Sequence, residues 1–139
     1  MVKRKPPPKK KRKIEREGYH LPTRSEAEQF ADLSPDLFDA WKRLKKFALA
    51  LGPQGEMRTS HRSIMFYGKT CYFFVRPKKA FLELNVFLGR SLQHASIRKV
   101  TAVSKTKWVH VIAVVHEDQV EEPLTDWIRE AFEFARKSV

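Results

Sequence analysis

The stretch Thr70-Cys71-Tyr72-Phe73-Phe74-Val75-Arg76-Pro77-Lys78-Lys79-Ala80-Phe81-Leu82-Glu83-Leu84-Asn85-Val86-Phe87-Leu88 decides the fold. In its second half Leu82, Leu84, Val86 and Leu88 fall on one side of an extended chain, and Glu83 and Asn85 on the other. That is the two-residue period of a half-buried strand. Its first half, Thr70 to Arg76, is almost continuously apolar, as expected of a central strand covered on both faces. Pro77-Lys78-Lys79 reads as the turn between them.

Upstream, Glu56 to Tyr67 carries β-compatible residues in loose alternation, which places Arg58, Ser60, Arg62, Ile64 and Phe66 on one strand face, and Gly68-Lys69 is a turn. Three runs joined by short turns make an antiparallel meander. Downstream, Gly89 to Lys99 reads as a loop or short helix before a strand near Val100 to Val103. Ser104 to Lys107 then forms a turn, and Trp108 to Val115 a further strand.

Helical periods frame this sheet. Thr23 and Ser25 are candidate N-caps for a short helix through Glu26, Gln29 and Phe30. Ser34-Pro35 is a cleaner start, with Ser at the N-cap and Pro in the first helical position. From there Leu37, Trp41, Leu44, Ala48 and Leu51 recur at spacings of 4, 3, 4 and 3, widened by Phe38 and Phe47, until Gly52-Pro53 stops the helix. Leu124, Trp127, Ile128, Ala131, Phe132 and Ala135 form a last stripe, with Pro123 tolerated only in the first turn. The sequence predicts an α+β fold, an antiparallel sheet of about four to five strands flanked on one face by an N-terminal helix pair and a C-terminal helix. Residues 1–18 are expected to be a disordered basic tail and residues 19–139 a single domain.

Charge is unevenly distributed. Met1 to Glu17 holds nine Lys or Arg against Glu15 and Glu17, and residues 40–110 hold fifteen against Glu56 and Glu83 alone. Residues 18–39 and 111–139 are acidic. Such a chain is expected to have a polarised surface that attracts a polyanion, nucleic acid being the commonest. The single Cys71 excludes an intramolecular disulfide and fits a reducing, cytoplasmic compartment. No apolar run approaches the roughly 18 residues that span a bilayer. Nor does the N-terminus carry an apolar signal segment.

The succession Ile64 to Tyr67, Tyr72 to Lys79 with its Arg76-Pro77-Lys78 turn, and Leu82 to Val86, closed by Val111 to Val115 and Leu124 to Ala135, resembles a small bacterial domain catalogued only as a domain of unknown function. The resemblance covers roughly residues 35 to 137 and leaves out the tail and the basic loop Ser91 to Lys107. It implies an α+β fold and brings no activity, substrate or catalytic residue. Separately, Pro8-Lys9-Lys10-Lys11-Arg12-Lys13 is similar to a monopartite nuclear localisation signal. A nucleic-acid-binding tail, a targeting signal and an incidental or added basic run remain open for it, and a nucleoid or nuclear location would depend on the host.

Candidate phosphate contacts are Lys3, Arg4, Lys5, Lys9, Lys10, Lys11, Arg12 and Lys13 in the tail, and Lys42, Lys46, Arg58, Arg62, Arg76, Lys78 and Lys79 in the domain. Phosphates need cations at intervals along a surface, and Arg adds bidentate geometry. For any one of these residues the plain alternative is a solvated charge, as with Asp39 pairing locally to Arg43. Tyr72, Phe73, Phe74, Phe81 and Phe87 would stack on bases if exposed, but core packing is the preferred reading.

Catalysis finds little support. Metal-dependent phosphodiester cleavage needs clustered carboxylates, and only Glu83 is a plausible ligand in the central sheet. His110 and His116 are too far apart along a strand to share one metal. No Gly-rich phosphate loop or nucleophile elbow is present. The expected function is therefore non-enzymatic nucleic-acid binding with no cofactor, and the alternative is an accessory domain that binds an acidic protein partner.

Overall fold

The computed structural model describes residues 21–52 and 56–137. The basic segment Met1 to Glu17, including Lys3, Arg4, Lys5, Lys9, Lys10, Lys11, Arg12 and Lys13, lies outside these residues, as does Pro53. The chain runs α1 (Glu26–Gln29), α2 (Pro35–Leu49), β1 (Glu56–Thr59), β2 (Ile64–Tyr67), β3 (Cys71–Pro77), β4 (Leu82–Leu88), β5 (Ile97–Ser104), β6 (Lys107–Val114), a 3₁₀ turn (Glu117–Gln119) and α3 (Leu124–Lys137). This is an α+β fold with a six-stranded antiparallel sheet ordered β1-β2-β3-β4-β6-β5, six strands rather than four to five.

The additional strand comes from the segment read as one run, Glu56 to Tyr67. It is a hairpin that reverses at Ser60-His61-Arg62-Ser63. The turn closes on itself, with the Ser60 amide donating to the Ser63 carbonyl at 2.9 Å and the two hydroxyls 2.7 Å apart. The N-terminal segment seals it. Arg24 Nε donates to the His61 carbonyl at 2.7 Å and Gln29 Nε2 to the Ser60 carbonyl at 2.8 Å. The reversal resets the alternation, so Ile64 and Phe66 are buried in the core while Arg58 is exposed and Arg62 lies in the turn, not beside it on a strand face.

Both helix starts follow their caps. Ser25 and Glu28 form a reciprocal capping box, and hydrogen bonds from Ser25 hold the Glu28 carboxyl below its ordinary range. Ser34 accepts from the Leu37 amide ahead of α2. The helices cover one face of the sheet. Trp41 of α2 stacks on Phe30 (4.4 Å between centroids) and reaches Phe66 (5.9 Å), while Phe132 of α3 meets Tyr72 edge-on at 5.2 Å. The Tyr72 hydroxyl donates to the Ala48 carbonyl. Where the chain leaves α2, a Cβ on Gly52 would stand 2.7 Å from the Phe132 ring tip, so the two helices close over a residue that must be small.

The difficult segment after β4 is a loop, residues 89–96, that carries the chain past β6 to the edge strand β5. It is pinned by buried His110, whose Nε2 accepts from the Leu92 amide and whose Nδ1 donates to the Val86 carbonyl. His94 meets Trp127 of α3 edge-on at 5.0 Å. No helix among the described residues is long and apolar enough to cross a membrane.

Candidate functional site

A six-stranded sheet has two faces, and here the helices cover only one. Strand register assigns the side chains of the other. One row crosses all six strands as Arg58, Met65, Phe74, Asn85, Val111 and Lys99. The next row on one side pairs Arg76, Glu83 and Ala113. On the other side Glu56, Tyr67 and Cys71 align in one line, and Phe87, Val109 and Thr101 in another. Tyr67, Phe74 and Phe87 are half-buried among their strand neighbours.

Tyr72 determines which aromatics reach this face. Phe66 pairs with Phe73 but Tyr67 with Cys71, so Tyr72 is an extra, bulged residue. Tyr72 and Phe73 consequently both turn into the core, 1% and 0% exposed. The apolar run Thr70 to Arg76 thus arises from a bulge plus an apolar residue on the uncovered face, not from burial on both faces. The core reading holds for Tyr72 and Phe73 and fails for Phe74 and Phe87.

Cations lie over these rings. The Arg58 guanidinium carbon is 4.2 Å from the Tyr67 centroid, Arg76 is 5.3 Å from Phe74, and Lys107 Nζ is 4.8 Å from Phe87. Arg98 sits 5.4 Å from Phe81 at the rim. Arg58 also chelates Glu56 at 3.0 and 3.3 Å, which raises its pKa. Among the described residues Arg76, Arg98, Lys99 and Lys107 have no carboxylate within ion-pair distance. The same is true of Lys78 and Lys79, which stand exposed in the β3–β4 turn at the end of the sheet, and of exposed Arg62.

Lys42 and Lys46 are elsewhere. They lie on the solvent side of α2, around a shallow depression of about 410 Å³ that Asp39, Arg43 and Glu117 also line. Asp39 pairs with Lys42 at 3.5 Å rather than with Arg43, whose guanidinium donates to the Glu117 carbonyl. The structure therefore brings Arg58 and Arg76 together, adds Arg98, Lys99 and Lys107 to them, and separates all five from Lys42 and Lys46. Among the described residues no group of three or more His, Cys, Asp or Glu is placed to hold a metal ion. Burial pushes the Cys71 thiol up to about 11, so it is not an activated nucleophile.

A family model, described as a domain of unknown function, matches residues 26–135 and so takes in α2, all but the last two residues of α3 and every strand of the sheet. The chain belongs to the DUF5655 family. The DUF5655 match begins at Glu26 rather than near residue 35 and includes the basic segment 91–107, so it takes in the short capped helix α1 and the pinned 89–96 loop. The aromatic and cationic residues of the open face all fall within the DUF5655 match. No curated protein and no solved structure matches the chain.

Proposed function

We propose that this domain binds nucleic acid without chemical turnover, through phosphate contacts to the open face of its sheet assisted by the basic segment at residues 1–17. The observation that carries this reading is the set of cations on that face with no carboxylate partner among the described residues: Arg76, Arg98, Lys99 and Lys107, with Lys78 and Lys79 at the sheet end. An unpartnered cation is free to replace a phosphate counterion, whereas one already in an ion pair must first give up its carboxylate. Carboxylates on the face are few. Glu56 is engaged by Arg58, and Glu83 accepts from Asn85.

Salt dependence tests the proposal. With about six phosphates neutralised on a duplex, log affinity should fall against log salt with a slope near −5. Fluorescence anisotropy between about 50 and 200 mM NaCl measures this, and a flat response overturns the reading. Replacing Lys3, Arg4, Lys5, Lys9, Lys10, Lys11, Arg12 and Lys13 with Gln in the full chain should weaken binding yet leave a salt-dependent remainder. Complete loss would assign the whole effect to the tail.

A further inference from the structure

The open face also holds three aromatic rings on adjacent strands, Tyr67 on β2, Phe74 on β3 and Phe87 on β4, each beneath a cation. Neighbouring strands are about 4.8 Å apart, so the rings sit within one or two strand spacings of each other. Phe74 and Phe87 have centroids 6.0 Å apart at 45°. They are tilted and do not stack on one another, so what occupies their faces is a cation rather than a second ring. A surface cation over a ring is worth only about 0.5–1 kcal/mol. A nucleobase stacked on a ring is worth about 1–3 kcal/mol, so a base can displace the cation. The displaced Arg or Lys then lies within reach of the phosphate that accompanies the base. Duplex bases already use both π-faces in the helical stack, and only unpaired bases can make this exchange.

We propose that the open sheet face is a stacking platform for a single-stranded polynucleotide. Bases rest on Phe74 and Phe87, with Tyr67 extending the platform, and Arg76, Lys107 and Arg58 turn from the rings to the phosphates. This rests on the nucleic-acid reading above and adds the strand form and the contacts. Charge argues against other occupants. A second copy docked face to face would oppose Arg58, Arg76, Lys99 and Lys107 to the same residues, and the basic segment at residues 1–17 would meet the same repulsion. An acidic peptide would satisfy the cations but leave the rings uncovered.

The test uses the full chain and a thymidine oligomer of about 12 nucleotides beside a duplex of equal length. The single strand should bind roughly tenfold tighter or more at physiological salt. Phe74→Leu and Phe87→Leu keep apolar bulk but lose the π-face. Each should lower single-strand affinity about tenfold at every salt concentration while leaving the salt slope unchanged. Arg76→Gln and Lys107→Gln should do the reverse, flattening the slope by about 0.7 each. Phe74→Trp should retain binding, and its added fluorescence should be quenched by the oligomer. Unaltered urea midpoints show that the variants fold, and the Trp variant keeps the test valid if a Leu variant does not.

A uridine oligomer run in parallel distinguishes ribose from deoxyribose strands; the proposal stands if either binds as described and falls if neither does. Equal, salt-dependent binding of duplex and single strand, with the Leu variants neutral, overturns the platform and leaves the nucleic-acid reading intact. Absence of salt-dependent binding to any probe overturns both. A dimer in sedimentation equilibrium that Phe74→Leu dissolves would make the face a self-interface and overturn the platform.

Discussion

On the helix layer five cations meet a carboxylate, while Arg43 and Lys46 of α2 do not. Lys45 meets Glu26 at 2.9 Å, Arg90 grips Glu130 through two hydrogen bonds of 2.9 Å, and Lys42, Arg129 and Arg136 each keep an acid within 3.6 Å even where they also lie over a ring. On the open face of the sheet Arg76, Arg98 and Lys107 meet a ring and, among the described residues, no acid. The two layers thus handle positive charge differently. The cations that lie over rings on the helix layer all keep an acid, whereas on the sheet face only Arg58 does, through Glu56. Net charge alone cannot reveal this, because a paired and an unpaired lysine count equally in the sequence total.

Adjacent residues break or sharpen the comparison most strongly. Phe73 is fully buried against Phe66, with centroids 4.5 Å apart, while Phe74 points to the open face. Phe73→Ala should cost about 3–5 kcal/mol. Phe74→Ala should cost about 1 kcal/mol or less. Urea unfolding of the pair measures both, and equal losses would mean that the open face is covered after all.

A smaller effect is expected where the helix layer uses its acids. Glu26 accepts from the Trp41 indole at 2.7 Å and from Lys45, tying α1 to α2. Glu26→Ala leaves the indole N–H without its acceptor and should cost about 1–3 kcal/mol. Arg90→Ala removes a more exposed pair and should cost at most about 1 kcal/mol. By contrast, Arg76→Gln and Lys107→Gln should stay within about 0.5 kcal/mol of the parent, because neither cation has an acid to lose. A loss from either as large as that from Glu26→Ala would erase the distinction between the layers.

How much of this was legible in the sequence depended on how local the cause was. Ser34-Pro35 and the spacing of Leu37, Trp41, Leu44 and Ala48 announced α2, and Leu82 to Leu88 announced β4, because capping and alternation act within a few residues. The β1–β2 hairpin was hard to see because Ser60 and Ser63 are the weaker turn formers in Ser60-His61-Arg62-Ser63, which has no Gly, Pro, Asn or Asp, and bonds from Arg24 and Gln29 help to hold it. The bulge at Tyr72 was equally hidden, and it decides that Phe74 rather than Tyr72 reaches the open face. For the site, the richness in cations was visible. Which of them had partners was not, since Arg90–Glu130 spans 40 positions and Lys45–Glu26 spans 19.

A last test probes the open face without any ligand. Cys71 lies beside Tyr67 in register, and burial raises its thiol from 9.0 to about 11, against weaker opposing pulls from the Phe66 backbone and then from nearby Lys107. At pH 8 only about one thiol in a thousand would then be thiolate, so alkylation by iodoacetamide should run roughly a hundredfold slower than for a free cysteine. The sign for stability follows from the same shift. The unfolded chain ionises first, so this group leaves stability unchanged below pH 9 and reduces it as pH rises from 9.0 to about 11. Subtracting the pH profile of Cys71→Ser isolates this contribution from that of buried Tyr72, whose hydroxyl burial also raises. A Cys71 that reacts at pH 8 like a free thiol would show water reaching between the strands at Tyr67. The open face would then be loosely packed as well as uncovered, and its rings would lack the fixed positions that stacking requires.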